Sequence, residues 1–339
     1  AMEMIALPCC CWSSVALGFP LMVFLGLWLW LWWRARRAAT YVVPETNTNS
    51  VIVVTGCDSG IGRTTALGLV QAGFHVVATT FTKAGPASLR AEAAYLEGEL
   101  STVHVDITKE ESVAQLVTFL EALLAKHPLK NLAGLLNNAG VILPGPVETQ
   151  PIHLFEKQIE VNLFGHVRVT QALLPFIRRD ARTLGGRVVN LVSVAGRVST
   201  YFLGAYAGSK FGMEAVTDSL RRELRSFGVS VSAIEPGFVQ TPLLHNLGRD
   251  LLDQNQDEKG RALYKEFFDR VEKNNEQVYL GGSSPELVAS NIVHALTSPR
   301  PKSRYLVGTD AHIMALLQWL LPSSIADELL VMVEDRILD

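Results

Sequence analysis

A tyrosine and a lysine four positions apart, Tyr206 and Lys210 in the stretch GAYAGSKFG, share one face of any helix that contains them. A free phenol titrates near about 10 and a free ammonium near about 10.4, so neither is a ready proton exchanger at neutral pH. An ammonium beside a phenolate favours the charged form and lowers the tyrosine's pKa. The pair therefore predicts Tyr206 as a general base toward an alcohol, or a general acid toward a ketone. Ser193 ends an apolar run upstream, where its hydroxyl can hydrogen-bond to an oxygen that gains charge. Standing alone, the pair is better read as a packed tyrosine and a solvated lysine, so the surrounding elements have to decide.

Those elements begin at Val51. A β-branched run, Val51 to Thr55, enters a glycine-rich turn, a helical stretch follows to Ala72, and a second apolar strand covers Phe74 to Thr79. Apolar strands alternating with helices predict a parallel sheet covered on both faces. Gly56, Gly60 and Gly62 sit where strand passes to helix, the place where a backbone can approach a pyrophosphate and the helix N-terminus can meet its charge. Further strands are read at Ser101 to Thr108, Leu132 to Gly140, Gly186 to Val194, Val229 to Gly237 and Ser303 to Thr309. Helical periods cover ESVAQLVTFLEALLAKH and, as one continuous stretch, HLFEKQIEVNLFGHVRVTQALLPFIRR. The expected class is α/β, a Rossmann-like doubly wound parallel sheet of about seven strands, which binds ligands outside the strands' carboxyl ends.

The chain resembles the short-chain dehydrogenase/reductase family over roughly Val51 to Thr309. The resemblance rests on Thr55-Gly56-x-x-x-Gly60-x-Gly62, Asn137-Asn138-Ala139-Gly140, Asn162 in VNLFG, Ser193, Tyr206-x-x-x-Lys210, and Pro236-Gly237 followed by Thr241. It implies catalytic roles for Asn162, Ser193, Tyr206 and Lys210. Lys210 would also bond the cofactor's nicotinamide ribose, and Asn162 would hold a water linking the lysine to solvent. It implies that Gly56, Asp58, Ser59, Gly60, Ile61, Gly62, Lys83, Asp106, Ile107, Asn138, Ala139, Gly140, Pro236, Gly237, Val239 and Thr241 hold a nicotinamide dinucleotide together with Tyr206 and Lys210. Asp106 would contact adenine, and Thr241 the carboxamide.

For the choice of cofactor the sequence is mixed. Asp58 in the glycine loop opposes a 2′-phosphate and favours NAD, while Lys83 after the second strand keeps NADP open. The stretches TGCDSGIG, NNAGV and SRYLVGTDA are similar to the branch that holds membrane-bound retinol dehydrogenases and hydroxysteroid dehydrogenases, with 3-hydroxybutyrate dehydrogenases nearby. A lipophilic alcohol, hydroxysteroid or retinol, is expected. Arg249, Arg261 and Lys265 in the lid keep a small hydroxy acid open, and an accessory subunit without turnover is the non-enzymatic rival. The lid, 238–280, carries Phe238, Leu243, Leu244, Leu247, Leu251, Tyr264, Phe267 and Phe268. About half of these are expected to line the substrate pocket, and the rest to bury the lid on the sheet.

Outside the domain, 51–310, the sequence changes character. After an N-terminal tail, 1–14, residues 15–33 (VALGFPLMVFLGLWLWLWW) carry no charge and match a bilayer core at about 1.5 Å per residue, so a transmembrane anchor is expected. Arg34, Arg36 and Arg37 begin the basic flank and linker, 34–50, and predict a cytosolic catalytic domain on a single-pass protein, which fits the endoplasmic reticulum membrane best and leaves lipid droplet and mitochondrial membranes open. Cys9, Cys10 and Cys11 beside the apolar run could take a lipid. The tail, 311–339, opens with an apolar run too short to span, and packing within the protein is expected of it. The resemblance implies a homo-oligomer. With 30 basic against 33 acidic residues, no single-sign field exists to draw nucleic acid. Scattered histidines without CxxC or HExxH spacing predict no metal site.

Overall fold

A computed structural model describes residues 49–82, 85–247 and 258–338. They belong to the unit running from Val43 to Asp339. The expected anchor, its basic flank and the cysteine cluster lie outside the described residues. Among the described residues, no helix is long and apolar enough to cross a membrane.

Seven parallel strands form one sheet: β1 (Ser50–Val54), β2 (His75–Thr80), β3 (Glu99–His104), β4 (Asn131–Asn137), β5 (Arg187–Leu191), β6 (Ser230–Pro236) and β7 (Arg304–Val307). Their order is β3-β2-β1-β4-β5-β6-β7. The chain reverses direction across the sheet between β1 and β4, and that crevice is where a doubly wound sheet receives a ligand. The alternation within β1 shows how both faces are filled. Ile52 and Val54 enter one core with Ala66, Leu69, Leu89, Val288 and Ile292, while Val51 and Val53 enter the other with Leu116, Leu120, Val169, Leu173 and Ile177.

The first face is covered by α1 (Gly60–Gln71), α2 (Gly85–Ala93) and α10 (Pro285–Thr297). The second carries α3 (Glu110–Lys126), α5 (His166–Leu184) and α6 (Gly204–Glu223). Between β4 and α5 lies α4 (Ile152–Ile159). The lid contributes α7 (Pro242–His245), α8 (Glu258–Leu263) and α9 (Lys265–Gly281), and the tail forms α11 (Thr309–Leu320) and α12 (Ser323–Leu338).

Two sequence expectations are corrected. The strand readings at β3, β4, β5 and β7 run past the ladder, which ends at His104, Asn137, Leu191 and Val307. Beyond β4, Asn138 N and Ala139 N donate to Thr55 Oγ1 at 2.9 and 3.1 Å instead of to a neighbouring strand. The helix read as continuous across 153–179 is broken by a π turn at Glu160–Gly165. Asn162 lies in that turn, its side chain bonded at both ends to the backbone of Val141. Such turns place one extra residue in a helix and recur at functional sites.

Tail packing is partial. Ala311, Ala315 and Ala326 are buried, whereas Ile313, Leu316, Trp319 and Leu320 stay exposed.

Candidate active site

The carboxyl ends of the strands open into a cavity of about 730 Å³. Every cofactor residue named from the sequence borders it, save Lys83, which lies outside the described residues. At one end the glycine loop is stapled to the loop after β4. The Asn138 amide donates to the carbonyls of Thr55 (2.7 Å) and Gly56 (3.0 Å). Gly56 and Gly60 adopt φ +72° and +56°, backbone that suits glycine. Ser59, at the N-cap of α1, makes no side-chain cap, which leaves the first-turn amides of this helix available to an anion. Asp58 bridges to the end of β2, accepting from Phe81 N at 2.8 Å, Thr82 N at 2.9 Å and Thr82 Oγ1 at 2.6 Å. Asp106 accepts from Thr108 N and Oγ1 at 2.9 and 2.7 Å. A long cleft with an uncapped helix start and a carboxylate beside the adjoining strand end suits a nicotinamide dinucleotide.

At the other end of the cleft stand Ser193, Tyr206 and Lys210. Ser193 begins a 3-10 turn (Val194–Gly196), and its Oγ accepts from Ala195 N at 3.1 Å. That oxygen also donates to Pro236 O at 3.3 Å, tying the turn to the end of β6. The sequence expectation that the lysine lowers the tyrosine's pKa is overturned. Burial pushes Tyr206 up to about 12, opposed by the neighbouring Ser193 hydroxyl. Lys210 Nζ instead donates to Leu191 O at 3.0 Å and sits 5.5 Å from the Tyr206 ring centre. Burial lowers Lys210 to about 8. Desolvation acts on both groups, and each is held in its neutral form over a wider range than in water.

Asn162 is not part of the cavity wall. It is fully buried behind Val141, and its amide also donates to Ser209 Oγ at 3.1 Å, which fastens the π turn to α6 one residue before Lys210. His166, unremarked in the sequence, closes the same layer. Its Nε2 donates to Ala139 O at 2.6 Å, and burial lowers its pKa to about 3, so the ring is neutral.

Part of the cavity wall is apolar, although Lys157, Glu160, Thr200 and Asn246 also border the cavity. Phe238, Leu243, Leu244 and Leu247 from the lid border it, together with Val198 and, from the tail, Met314. Tyr264, Phe267 and Phe268 pack elsewhere, around Phe202, with ring centres 5.5, 4.3 and 5.5 Å from it. Leu251 lies outside the described residues. Phe202 has φ +59°, uncommon for so bulky a residue and worth about 1–3 kcal/mol of strain. Its carbonyl accepts from Gly145 N at 2.8 Å. No local pattern marks Phe202 or Met314, because both matter only through the segments that fold against them.

A family model described as short chain dehydrogenase matches residues 50–252, which include the glycine loop, Ser193, Tyr206 and Lys210. The chain belongs to this family. Human retinol dehydrogenase 16 is 37% identical over 91% of this chain and 95% of its own length. Human 17-beta-hydroxysteroid dehydrogenase type 6 is 34% identical over the same shares. A crystal structure of a short-chain dehydrogenase from Streptomyces avermitilis superposes with a TM-score of 0.66 at 25% identity, covering 85% of this chain and 98% of that one. The protein is thus a short-chain dehydrogenase of the retinol and hydroxysteroid dehydrogenase branch, an oxidoreductase that acts on CH-OH groups with a nicotinamide cofactor.

Proposed function

We propose that this short-chain dehydrogenase interconverts a lipophilic alcohol, a hydroxysteroid or retinol, with its carbonyl form, uses NAD, and is held on a membrane by residues 15–33. The observation that carries the substrate class is the apolar part of the cavity wall, built from Leu243, Leu244, Leu247 and Met314. A small hydroxy acid would need a cation against that wall, and Lys157 of α4, which borders the cavity, is the described residue that would have to supply it. Lys265 instead pairs with Asp269 on its own helix, Arg249 lies outside the described residues, and nothing is described of the Arg261 side chain.

A nicotinamide cofactor held by the glycine loop, Asn138 and Lys210 would supply or accept the hydride exchanged at the substrate's carbinol carbon. Ser193 Oγ holds the substrate oxygen, and Tyr206 Oη takes its proton in oxidation or returns it in reduction. Lys210 orients the ribose and places its positive charge behind the phenol. Asn162 keeps Val141 and α6 in register and carries the water that links Lys210 to solvent. The apolar lid residues exclude bulk water from the reacting atoms.

The test is absorbance at about 340 nm, the reduced nicotinamide band, using detergent-solubilised full chain with hydroxysteroids, retinol and 3-hydroxybutyrate, each with NAD and with NADP. Turnover confined to 3-hydroxybutyrate would replace the lipophilic reading. For the anchor, proteolysis of sealed microsomes should digest the catalytic domain. Its protection would reverse the orientation.

Asp58 carries the NAD preference, since its carboxylate stands where the loop meets the end of β2 and repels a 2′-phosphate. Asp58→Asn is expected to raise the NADP-to-NAD ratio of kcat/KM by about tenfold. An unchanged ratio would move the preference to another residue.

A further inference from the structure

Behind the wall that carries Ser193 and Tyr206 lies an ionic cluster that the proposed chemistry does not use. Glu235, next to last in β6, is fully buried. Its carboxylate accepts from Arg197 Nε at 2.7 Å and Nη2 at 3.0 Å, and lies 3.0 Å from Arg304 Nε of β7. Glu214, on α6 one turn beyond Lys210, accepts from Arg304 Nη2 at 2.9 Å through Oε2. Its Oε1 is buried and has no hydrogen-bond donor among the described residues. Arg304 Nε lies 3.0 Å from Glu235 Oε1 and 3.2 Å from Glu214 Oε2, so one guanidinium nitrogen brings the two carboxylates together, yet two ionised carboxylates are both acceptors and cannot bond each other. The pair is satisfied only when one of them carries a proton.

The cluster joins the parts of the catalytic end. Arg197 directly follows the Ser193 turn, and Pro236, whose carbonyl accepts from Ser193, directly follows Glu235. A Cβ at Gly196 would fall 3.0 Å from Glu214 Cγ and 3.1 Å from Lys210 O, so the turn seats directly on α6. We propose that below neutral pH Glu214 carries a proton hydrogen-bonded to Glu235, and that this pair with Arg197 forms a positioning brace. The brace holds the Ser193 turn against the helix that carries Tyr206 and Lys210. This inference rests on the roles proposed above for those residues.

The groups facing Glu214 are Glu235 from β6, Arg304 from β7, Arg197 from the turn, and Lys210 and Asp218 one turn to either side on α6. Asp218 is itself engaged by Arg304 at 2.6 Å and Arg221 at 2.5 Å. Burial, then the Glu235 charge, pushes Glu214 up to about 7 against the pull of Arg304. Because its folded pKa is raised, its contribution to stability is full below the ordinary value of 4.5 and is lost as pH rises through about 7. Above that, ionisation sets two carboxylates against each other and loosens the turn.

The test compares full-length wild type, Glu214→Gln, Arg197→Met, Arg197→Gln and Arg197→Lys. The Tm of wild type minus that of Glu214→Gln should fall as pH rises from about 5 to about 7.5 and then level off. Over the same window the kcat ratio of Glu214→Gln to wild type should rise about threefold, with the cofactor KM unchanged. Arg197→Met should lower kcat about tenfold at constant cofactor KM, with Arg197→Lys recovering most of the loss. Amide hydrogen exchange at residues 194–197 should quicken in Arg197→Met, a readout that stands even if no tested substrate turns over. A Tm difference independent of pH overturns the proton. Wild-type kcat or wild-type exchange in Arg197→Met overturns the brace, and if that variant does not fold, wild-type kcat and exchange in Arg197→Gln, which also lacks the charge, do so.

Discussion

Tyr206→Phe is expected to lower kcat by about 10²- to 10⁴-fold, the range for loss of a general acid or base, while cofactor affinity changes little. The substitution removes one oxygen and leaves the ring that packs beside Lys210, so the fold should survive it. The pH dependence sharpens the test. Burial holds the phenol up to about 12, so at neutral pH it is protonated and ready to donate to a carbonyl. Oxidation needs the deprotonated form, so wild-type oxidation should accelerate as pH rises from about 7 to 9, and the mutant's residual rate should be flat. Reduction, which uses the protonated form, should not gain over that range. Retention of oxidation within about threefold in Tyr206→Phe would remove the tyrosine from the chemistry.

Gly62→Ala is the second large effect, and it acts on the cradle instead of the proton. A Cβ at Gly62 would collide with the backbone oxygen of Gly56, which cannot swing aside, and with Asn138 Nδ2, which could move only by giving up its bonds to Thr55 O and Gly56 O. The methyl would also break the staple that the Asn138 amide makes to the Gly56 carbonyl. A loss of about 2–3 kcal/mol is expected, or a Tm lower by about 5–10 °C for a domain of this size. NAD should give the variant less thermal protection than it gives wild type. Gly68, two turns further along α1, is the internal control. It is exposed, and nothing lies within 4 Å of a Cβ there, so Gly68→Ala should stabilise by about 0.5–1 kcal/mol. Equal stability of Gly62→Ala and wild type would mean that the loop and the Asn138 segment are not clasped as described.

The comparison of Ser193 with Glu235 shows where sequence reading stops. Ser193 is legible because it ends a β-branched run at a fixed place before a Tyr-x-x-x-Lys pair, and strand ends in a parallel sheet converge on one edge. Glu235 sits inside an equally apolar run and looks like a charge at a strand terminus. That it is completely buried, and held by Arg197 and Arg304, follows only from β6 lying between β5 and β7. The lid divides in the same way. Its apolar residues are visible as a group, but Leu244 turning to the cavity and Phe268 to Phe202 depends on how the lid helices seat.

What the sequence determined was local and periodic. It fixed the strand and helix alternation, the glycines at the first turn, and the four-residue spacing that puts Tyr206 and Lys210 on one helix face, because these follow from backbone geometry over a few residues. Tertiary structure decided the rest. It gave Lys210 to the carbonyl of Leu191, raised Tyr206 instead of lowering it, broke the helix at Asn162 and enclosed Glu214 beside Glu235. Each of these depends on desolvation and on partners far away along the chain, and burial is a property of the packed whole that no short stretch of residues contains.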